Sequence, residues 1–234
     1  MTKGSLIGVG TGPGDPELVT RKAWATIQKA KVIAYPAPDS GVSFARSIVS
    51  DAISEETLEI PMIVPMRTGR EPAQSIYDDG AKAIATQLDL GHDVVVLCEG
   101  DPLFYGSFMY LLARLRDDYD VAIIPGITAM TACAAAASHP LVAREDMMTI
   151  LPATMADEDL VAAITASQGI AIMKVGRHIN RLRSIIDKIG CLADAIYISH
   201  ASLPHQKMMP LAQAPDDAPY FSMILLYKGN DAWI

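Results

Sequence analysis

The stretch Gly8-Val9-Gly10-Thr11-Gly12-Pro13-Gly14-Asp15-Pro16-Glu17-Leu18 decides the fold, because its Gly-Asp-Pro turn returns mid-chain as Glu99-Gly100-Asp101-Pro102-Leu103. Each turn follows an apolar run, Leu6 to Val9 in one case and Val94 to Cys98 in the other. Each precedes a stretch with helical character. Strand, glycine turn and helix in succession is the repeating unit of α/β architecture. Asp15 fits a helix N-cap and Pro16 the first helical position, where the missing proline N–H costs nothing. Asp101-Pro102 matches the same signal.

Outward from these turns, Pro16 to Ala30 reads as one helix with Val19, Ala23, Ile27 and Ala30 on one stripe. Lys31 to Tyr35 is the second strand, Ser43 to Ser50 a helix and Thr57 to Ile60 a short strand. Ile63 to Glu71, closed by Pro61, Pro65 and Pro72, reads as a loop able to cover a site. Ser75 to Leu90 is a helix. His92 to Cys98 is nearly all apolar, as a central parallel strand should be. Leu103 to Arg116 is a helix and Val121 to Ile124 a strand. Past Pro125-Gly126, helices are expected over Ile127–Ala137, Asp157–Ser167 and Ile179–Ile189. Strands are expected over Met147–Leu151, Gly169–Val175, Ala195–Ser199 and Tyr220–Tyr227. The last alternates least cleanly and suits an antiparallel or mixed sheet. The expected organisation is two α/β domains, residues 1–120 and 121–234.

Composition narrows the function. Half of the 234 residues are apolar and a fifth charged, so the chain buries a sizeable core. A net charge of −8 disfavours a general nucleic-acid surface. Lys174, Arg177, Arg181, Arg183 and Lys188 nevertheless cluster beside His178 and form a candidate anion site. The longest apolar runs, Val94 to Cys98 and Ala132 to Ala137, are far shorter than the roughly 20 residues of a membrane span. No membrane association is expected. The N-terminus enters the first strand without a signal-peptide pattern. Cys98, Cys133 and Cys191 lack metal-ligand spacing and read as buried free thiols, which suits the cytoplasm. His139, His200 and His205 show no regular ligand pattern either, so no metal site is expected.

The first glycine loop is built wrong for a phosphate. A Walker loop would end in Gly-Lys-Ser or Gly-Lys-Thr, whereas Asp15 follows Gly14 here. A dinucleotide fingerprint fits Gly8-Val9-Gly10-Thr11-Gly12 superficially, but Pro13 and Asp15 do not suit it. The acidic ribose ligand expected after the second strand is replaced by Pro36-Ala37-Pro38, with Asp39 a weak substitute. The loop alone reads either as a structural turn or as a ligand contact. The second turn lies where open α/β sheets bind ligands, at the carboxyl end of a buried strand. There the backbone N–H and C=O groups of Gly100 and Asp101 are expected to be free for a ligand, unless the turn is a helix cap and nothing more.

Three ordered motifs carry a resemblance. They are Gly10-Thr11-Gly12-Pro13-Gly14-Asp15 with Leu18 and Thr20, Glu99-Gly100-Asp101-Pro102 with Gly106 and Ser107, and Pro125-Gly126-Ile127-Thr128-Ala129. In order and spacing the chain resembles the tetrapyrrole methylase family over essentially its whole length. Within that family, Gly106-Ser107-Phe108-Met109-Tyr110 is most similar to the subgroup that methylates precorrin-2 at C20. Ile127-Thr128-Ala129 departs from it, since valine and serines would be expected there.

The resemblance implies S-adenosylmethionine as cofactor, S-adenosylhomocysteine as product, and a polycarboxylate tetrapyrrole as substrate. It also implies a homodimer and a cleft between the two domains. Pro13, Glu99, Gly100, Asp101, Ser107, Thr128, Ala129, Val175 and Ala201 would contact the cofactor. Gly12, Arg67, Lys174 and Arg177 would meet the substrate, with Arg70, Arg21, Lys22 and Arg181 as further cations for its carboxylates. Asp101 and Tyr105 are the candidate catalytic residues, with Glu99 a further candidate base. The alternatives are methylation of cobalt-factor II at C20 or of another tetrapyrrole carbon, and, in other classes, a nucleotide-binding, ligand-sensing module without turnover or a nicotinamide dehydrogenase.

Overall fold

The computed structural model describes residues 2–39, 41–64 and 71–229. The chain divides into two compact units, Met1–Thr128 and Ala129–Ile234.

The first unit holds five strands: β1 (Leu6–Gly10), β2 (Val32–Pro38), β3 (Leu58–Val64), β4 (Val94–Cys98) and β5 (Val121–Ile124). They form one sheet in the order β3-β2-β4-β1-β5, parallel throughout. β4 is buried at every residue, which explains its unbroken apolar sequence: a strand covered on both faces has no polar side. Helices α1 (Arg21–Gln28) and α2 (Phe44–Ile48) cover one face, packing Ala23, Ile27, Ala45 and Ile48 on Val9, Ile33, Val95 and Leu97. Helices α3 (Glu71–Asp89) and α4 (Phe108–Leu115) cover the other, packing Ile84, Leu88, Phe108 and Leu111 on Leu6, Val94 and Val96.

This layering follows from chain direction. The crossovers from β1 and β2 move one way along the sheet, and those from β3 and β4 the other. Right-handed crossovers therefore place their helices on opposite faces. β1 and β4 are neighbours whose exits diverge, which makes their carboxyl ends the switch point of the sheet.

Several expected boundaries move. β5 hydrogen-bonds to β1 in register Leu6↔Val121 through Val9↔Ile124, so the division falls after residue 128 rather than at 120. Pro16–Ala30 is not one helix. Pro16–Leu18 is a 3₁₀ turn capped by Asp15, Val19 is extended, and Thr20 caps α1 by accepting from the Ala23 amide at 3.2 Å. Thr20 thus supplies the acceptor expected of Asp15. Ile63 and Val64 belong to β3, and Glu71 opens α3. Arg67 and Arg70 lie outside the described residues.

The second unit holds α5 (Ala129–Ala137), β6 (Met148–Pro152), α6 (Asp157–Ala166), β7 (Gly169–Met173), α7 (Ile179–Lys188), β8 (Ala195–Ser199), β9 (Lys207–Pro210) and β10 (Ser222–Tyr227). Its sheet is mixed, in the order β6-β7-β10-β8-β9, with only β6 and β7 parallel. α6 and α7 pack Leu160, Ile164, Ile179, Leu182 and Ile186 on one face. α5 packs Ala132 and Cys133 on the other. Strand β9, Lys-Met-Met-Pro, escaped the sequence reading because a short, mostly exposed edge strand has no apolar alternation to detect.

Candidate functional site

Three glycine-containing loops meet at the switch point of the first sheet. Gly12 and Gly100 form an antiparallel bridge: the Gly100 N–H donates to the Gly12 carbonyl at 2.8 Å and the Gly12 N–H to the Gly100 carbonyl at 3.3 Å. Both adopt positive φ, 77° and 62°, which side-chain-bearing residues seldom enter. Gly126, from the loop after β5, packs against the same carbonyl. A Cβ on Gly126 would lie 2.0 Å from the Gly100 oxygen and 2.8 Å from the Gly10 Cα. A Cβ on Gly10 would lie 2.5 Å from that oxygen and 2.6 Å from the Gly126 Cα. Only hydrogen fits at either position.

Two side chains fasten this contact. Thr11 is fully buried, and its hydroxyl donates to the Cys98 carbonyl at 3.0 Å while its amide donates to the same oxygen at 2.8 Å. Asp101 does not cap α4, which begins at Phe108 with Ser107 at the cap position. One Asp101 carboxylate oxygen accepts from the Leu103 amide at 2.9 Å and the other from the Gly126 amide at 3.0 Å.

The expectation that the Gly100 backbone is free therefore fails, because both its polar groups pair with Gly12. Four further amides at this edge are also engaged. Those of Glu17 and Leu18 bond to Asp15, and those of Leu103 and Gly126 to Asp101. A phosphate at a strand–helix junction needs several amides that point at it without partners. This edge instead presents carboxylates. Desolvation pushes the Glu99 carboxyl above its ordinary range, while the residue as a whole is exposed.

The loop 101–107 carries the remaining candidates of this unit. Tyr105 adopts a φ of 55° and is exposed, with its ring edge-on to Phe104 at 5.3 Å. The tight path comes from Gly106, where a Cβ would meet the Pro102 carbonyl oxygen at 2.6 Å. The Ser107 hydroxyl shares a hydrogen bond with Tyr77 of α3. Pro13 follows Gly12 and is half-buried, as is Thr128, two residues past Gly126.

In the second unit the candidates gather at one end of the sheet. Lys174 and Val175 follow β7, and Ala201 follows β8. Lys174, His200 and Ser202 all take positive φ there, at 58°, 53° and 68°. Both strands end at the same edge of the sheet, and backbone strain of this kind clusters at ligand sites. Lys174 and Arg177 are exposed, Val175 and Ala201 are buried, and Ala129 opens α5 exposed.

The basic cluster divides. Arg181 pairs with Asp157 at 2.6 Å and donates to the Met155 and Ala153 carbonyls. Arg183 pairs with Asp216 at 2.9 Å and donates to the Ala214 carbonyl. Both arginines brace their own unit. Arg177 lies in a 3₁₀ turn before α7 rather than on a helix face shared with Arg181.

The sequence reading gives Gly10 a close backbone approach, and it gives Thr11 and Gly126 no role beyond their motifs. The signal was a small residue at the end of each of three strands, and only topology shows that these strands adjoin.

The family model for Tetrapyrrole (Corrin/Porphyrin) Methylases matches residues 5–215. A precorrin-2 C(20)-methyltransferase from a Sinorhizobium species is 40% identical over 97% of this chain and 97% of its own. A cobalt-precorrin-2 C(20)-methyltransferase from Salmonella typhimurium is 29% identical over 96% and 97%. A cobalamin biosynthesis protein CobIJ from Mycobacterium tuberculosis is 38% identical over 97% of this chain, which spans 47% of that relative. Among solved structures, a uroporphyrin-III C-methyl transferase from Thermus thermophilus, complexed with S-adenyl homocysteine, shares the fold. Its TM-score is 0.68 at 19% identity, covering 96% of this chain and 92% of that one. A two-unit α/β chain with this glycine contact, matched by the family model over nearly all its length, thus belongs to the tetrapyrrole methylase family and is an S-adenosylmethionine-dependent methyltransferase.

Proposed function

We propose that this chain transfers a methyl group from S-adenosylmethionine to C20 of precorrin-2, giving precorrin-3A in cobalamin biosynthesis, with S-adenosylhomocysteine as the second product. The observation that carries the cofactor reading is the set of occupied amides at the switch point. Gly12, Glu17, Gly100, Leu103 and Gly126 all donate within the protein. Such an edge suits a ligand without phosphate and does not suit a dinucleotide. The carboxylates of Glu99 and Asp101 favour a cationic ligand electrostatically, which a sulfonium is.

S-adenosylmethionine, when bound, supplies a methyl group already activated on positive sulfur. The chain's own task is alignment, with the reacting atoms about 3 to 3.5 Å apart. Pro13, Glu99, Gly100, Asp101, Ser107 and Thr128 are proposed as cofactor contacts, with Ala129, Val175 and Ala201 as those of the second unit. Tyr105, exposed on a strained turn, is proposed to orient the macrocycle. Gly12 borders it. Lys174 and Arg177, both exposed, are proposed to meet its carboxylates. After the methyl is on C20, the C20 proton passes to water or to a protein base.

The higher identity to the precorrin-2 enzyme, 40% against 29% for the cobalt-precorrin-2 enzyme, supports a metal-free substrate. The test is one assay: purified protein with labelled S-adenosylmethionine and either metal-free precorrin-2 or its cobalt counterpart, the new methyl located by NMR. Faster turnover of the metal-free substrate with label at C20 is expected. Label at another carbon overturns the regiochemistry, and preference for the cobalt form overturns the substrate. The homodimer is likewise proposed, with light scattering as its test.

A further inference from the structure

We propose that Asp101 is a positioning residue: its carboxylate clasps the loops after β4 and β5 and thereby holds the three-glycine contact in the shape that receives the cofactor. The inference rests on the cofactor reading above and replaces the expectation that Asp101 acts as a base.

The geometry is specific. Each carboxylate oxygen accepts one backbone N–H, from Leu103 within its own loop and from Gly126 in another, 25 residues away. Among the described residues no other acceptor is recorded for the Gly126 amide. Gly126 also packs directly on the Gly100–Gly12 bridge, since a Cβ there would stand 2.0 Å from the Gly100 oxygen. Releasing that amide frees the third loop from the other two. A base must offer a lone pair to the departing proton. Each Asp101 oxygen keeps a second lone pair, but taking a proton there would neutralise the carboxylate and weaken its hold on both loops. A carboxylate is the only common side chain that accepts at both oxygens, so asparagine cannot replace it. One arm of an amide group is a donor and would face another donor.

The experiment compares wild type, Asp101→Asn and Gly126→Ala. The second variant disturbs the same contact sterically and leaves the carboxylate in place. Three readouts are taken: amide hydrogen exchange across residues 125–128, S-adenosylhomocysteine affinity by calorimetry, and methyl transfer as a function of pH. A clasp predicts that Asp101→Asn speeds exchange at Gly126 at least roughly tenfold. It also predicts affinity for S-adenosylhomocysteine weakened about tenfold, as expected for one lost hydrogen bond to a charged group. Saturating turnover should fall by a similar factor in Asp101→Asn and Gly126→Ala, with the pH profile unchanged in shape, because no proton acceptor is lost. Gly126→Ala should reproduce the affinity loss.

Unchanged Gly126 exchange in Asp101→Asn overturns the clasp. Faster exchange with unaltered affinity overturns its role in positioning. Intact affinity with turnover down a hundredfold and one pH limb missing restores the base. Wild-type protein that fails to bind S-adenosylhomocysteine refutes the cofactor reading instead, and the exchange arm still decides whether the clasp exists.

Discussion

Gly10→Ala is the sharpest probe of the switch-point geometry. Gly10 ends β1 and does not have positive φ, so alanine meets no conformational objection there. What it meets is backbone. The new methyl would stand 2.5 Å from the Gly100 oxygen and 2.6 Å from the Gly126 Cα. Carbon atoms reach their optimal separation near 3.5 to 4.0 Å, so about 1 Å of movement is required. Neither neighbour is a flexible side chain, and moving Gly100 strains its two hydrogen bonds to Gly12. Overpacking of this kind costs about 1 to 3 kcal/mol, and each strained bond adds up to about 1 kcal/mol. A total near 3 kcal/mol lowers the melting temperature by roughly 6 to 12 °C in a chain of this size. Gly41→Ala is the control, since its Cβ would meet only Pro38 at 4.0 Å and its φ is not positive. That change should be neutral or stabilise slightly by restricting the unfolded chain. Thermal unfolding followed by circular dichroism measures both. Equal melting temperatures for the two variants would refute the close three-glycine contact.

Three further outcomes are expected. Glu99 binds its proton more tightly folded than unfolded, because desolvation raises its pKa. Its ionisation therefore opposes folding at neutral pH, and the opposition disappears on acidification. Glu99→Gln should raise the melting temperature at pH 8, with the gain gone below about pH 4. A gain that persists in acid would contradict this account. Tyr197 is 1% exposed and its hydroxyl finds no partner among the described residues. Tyr197→Phe should stabilise by about 1 kcal/mol, and destabilisation in denaturant titration would point to an unseen partner. The Cys98 and Cys133 thiols are buried and each pushed up to about 12 by desolvation. A thiol reagent at pH 8 should label Cys191 alone in the native protein and all three cysteines after unfolding. Rapid labelling of two thiols in the native state would disprove the burial.

Much of the fold is legible along the chain, for reasons visible in particular elements. β4 is an unbroken apolar run because both of its faces are covered. α1 shows its stripe because Ala23 and Ile27 meet the sheet on one side. Boundaries slipped where local signals compete. Thr20 and Asp15 are both good caps, and the chain uses both, one for α1 and one for a 3₁₀ turn. Leu103 to Ser107 resembles the start of α4 in composition, yet Gly106 and the positive φ of Tyr105 hold it as a turn. The basic cluster 174–188 looked like a single anion site. Asp157 and Asp216, far away in sequence, engage two of its arginines.

From the order of its residues alone, this protein was marked as α/β, its glycine turns were located, and the missing lysine ruled out a phosphate loop. These are local properties, set by backbone freedom, side-chain shape and charge within a few neighbouring positions. Tertiary structure alone decided that the loops after β1, β4 and β5 touch, that their amides are already occupied, and that Asp101 joins two of them. Those facts depend on which strands lie side by side. That order comes from the direction of each crossover, and no short stretch of sequence records it.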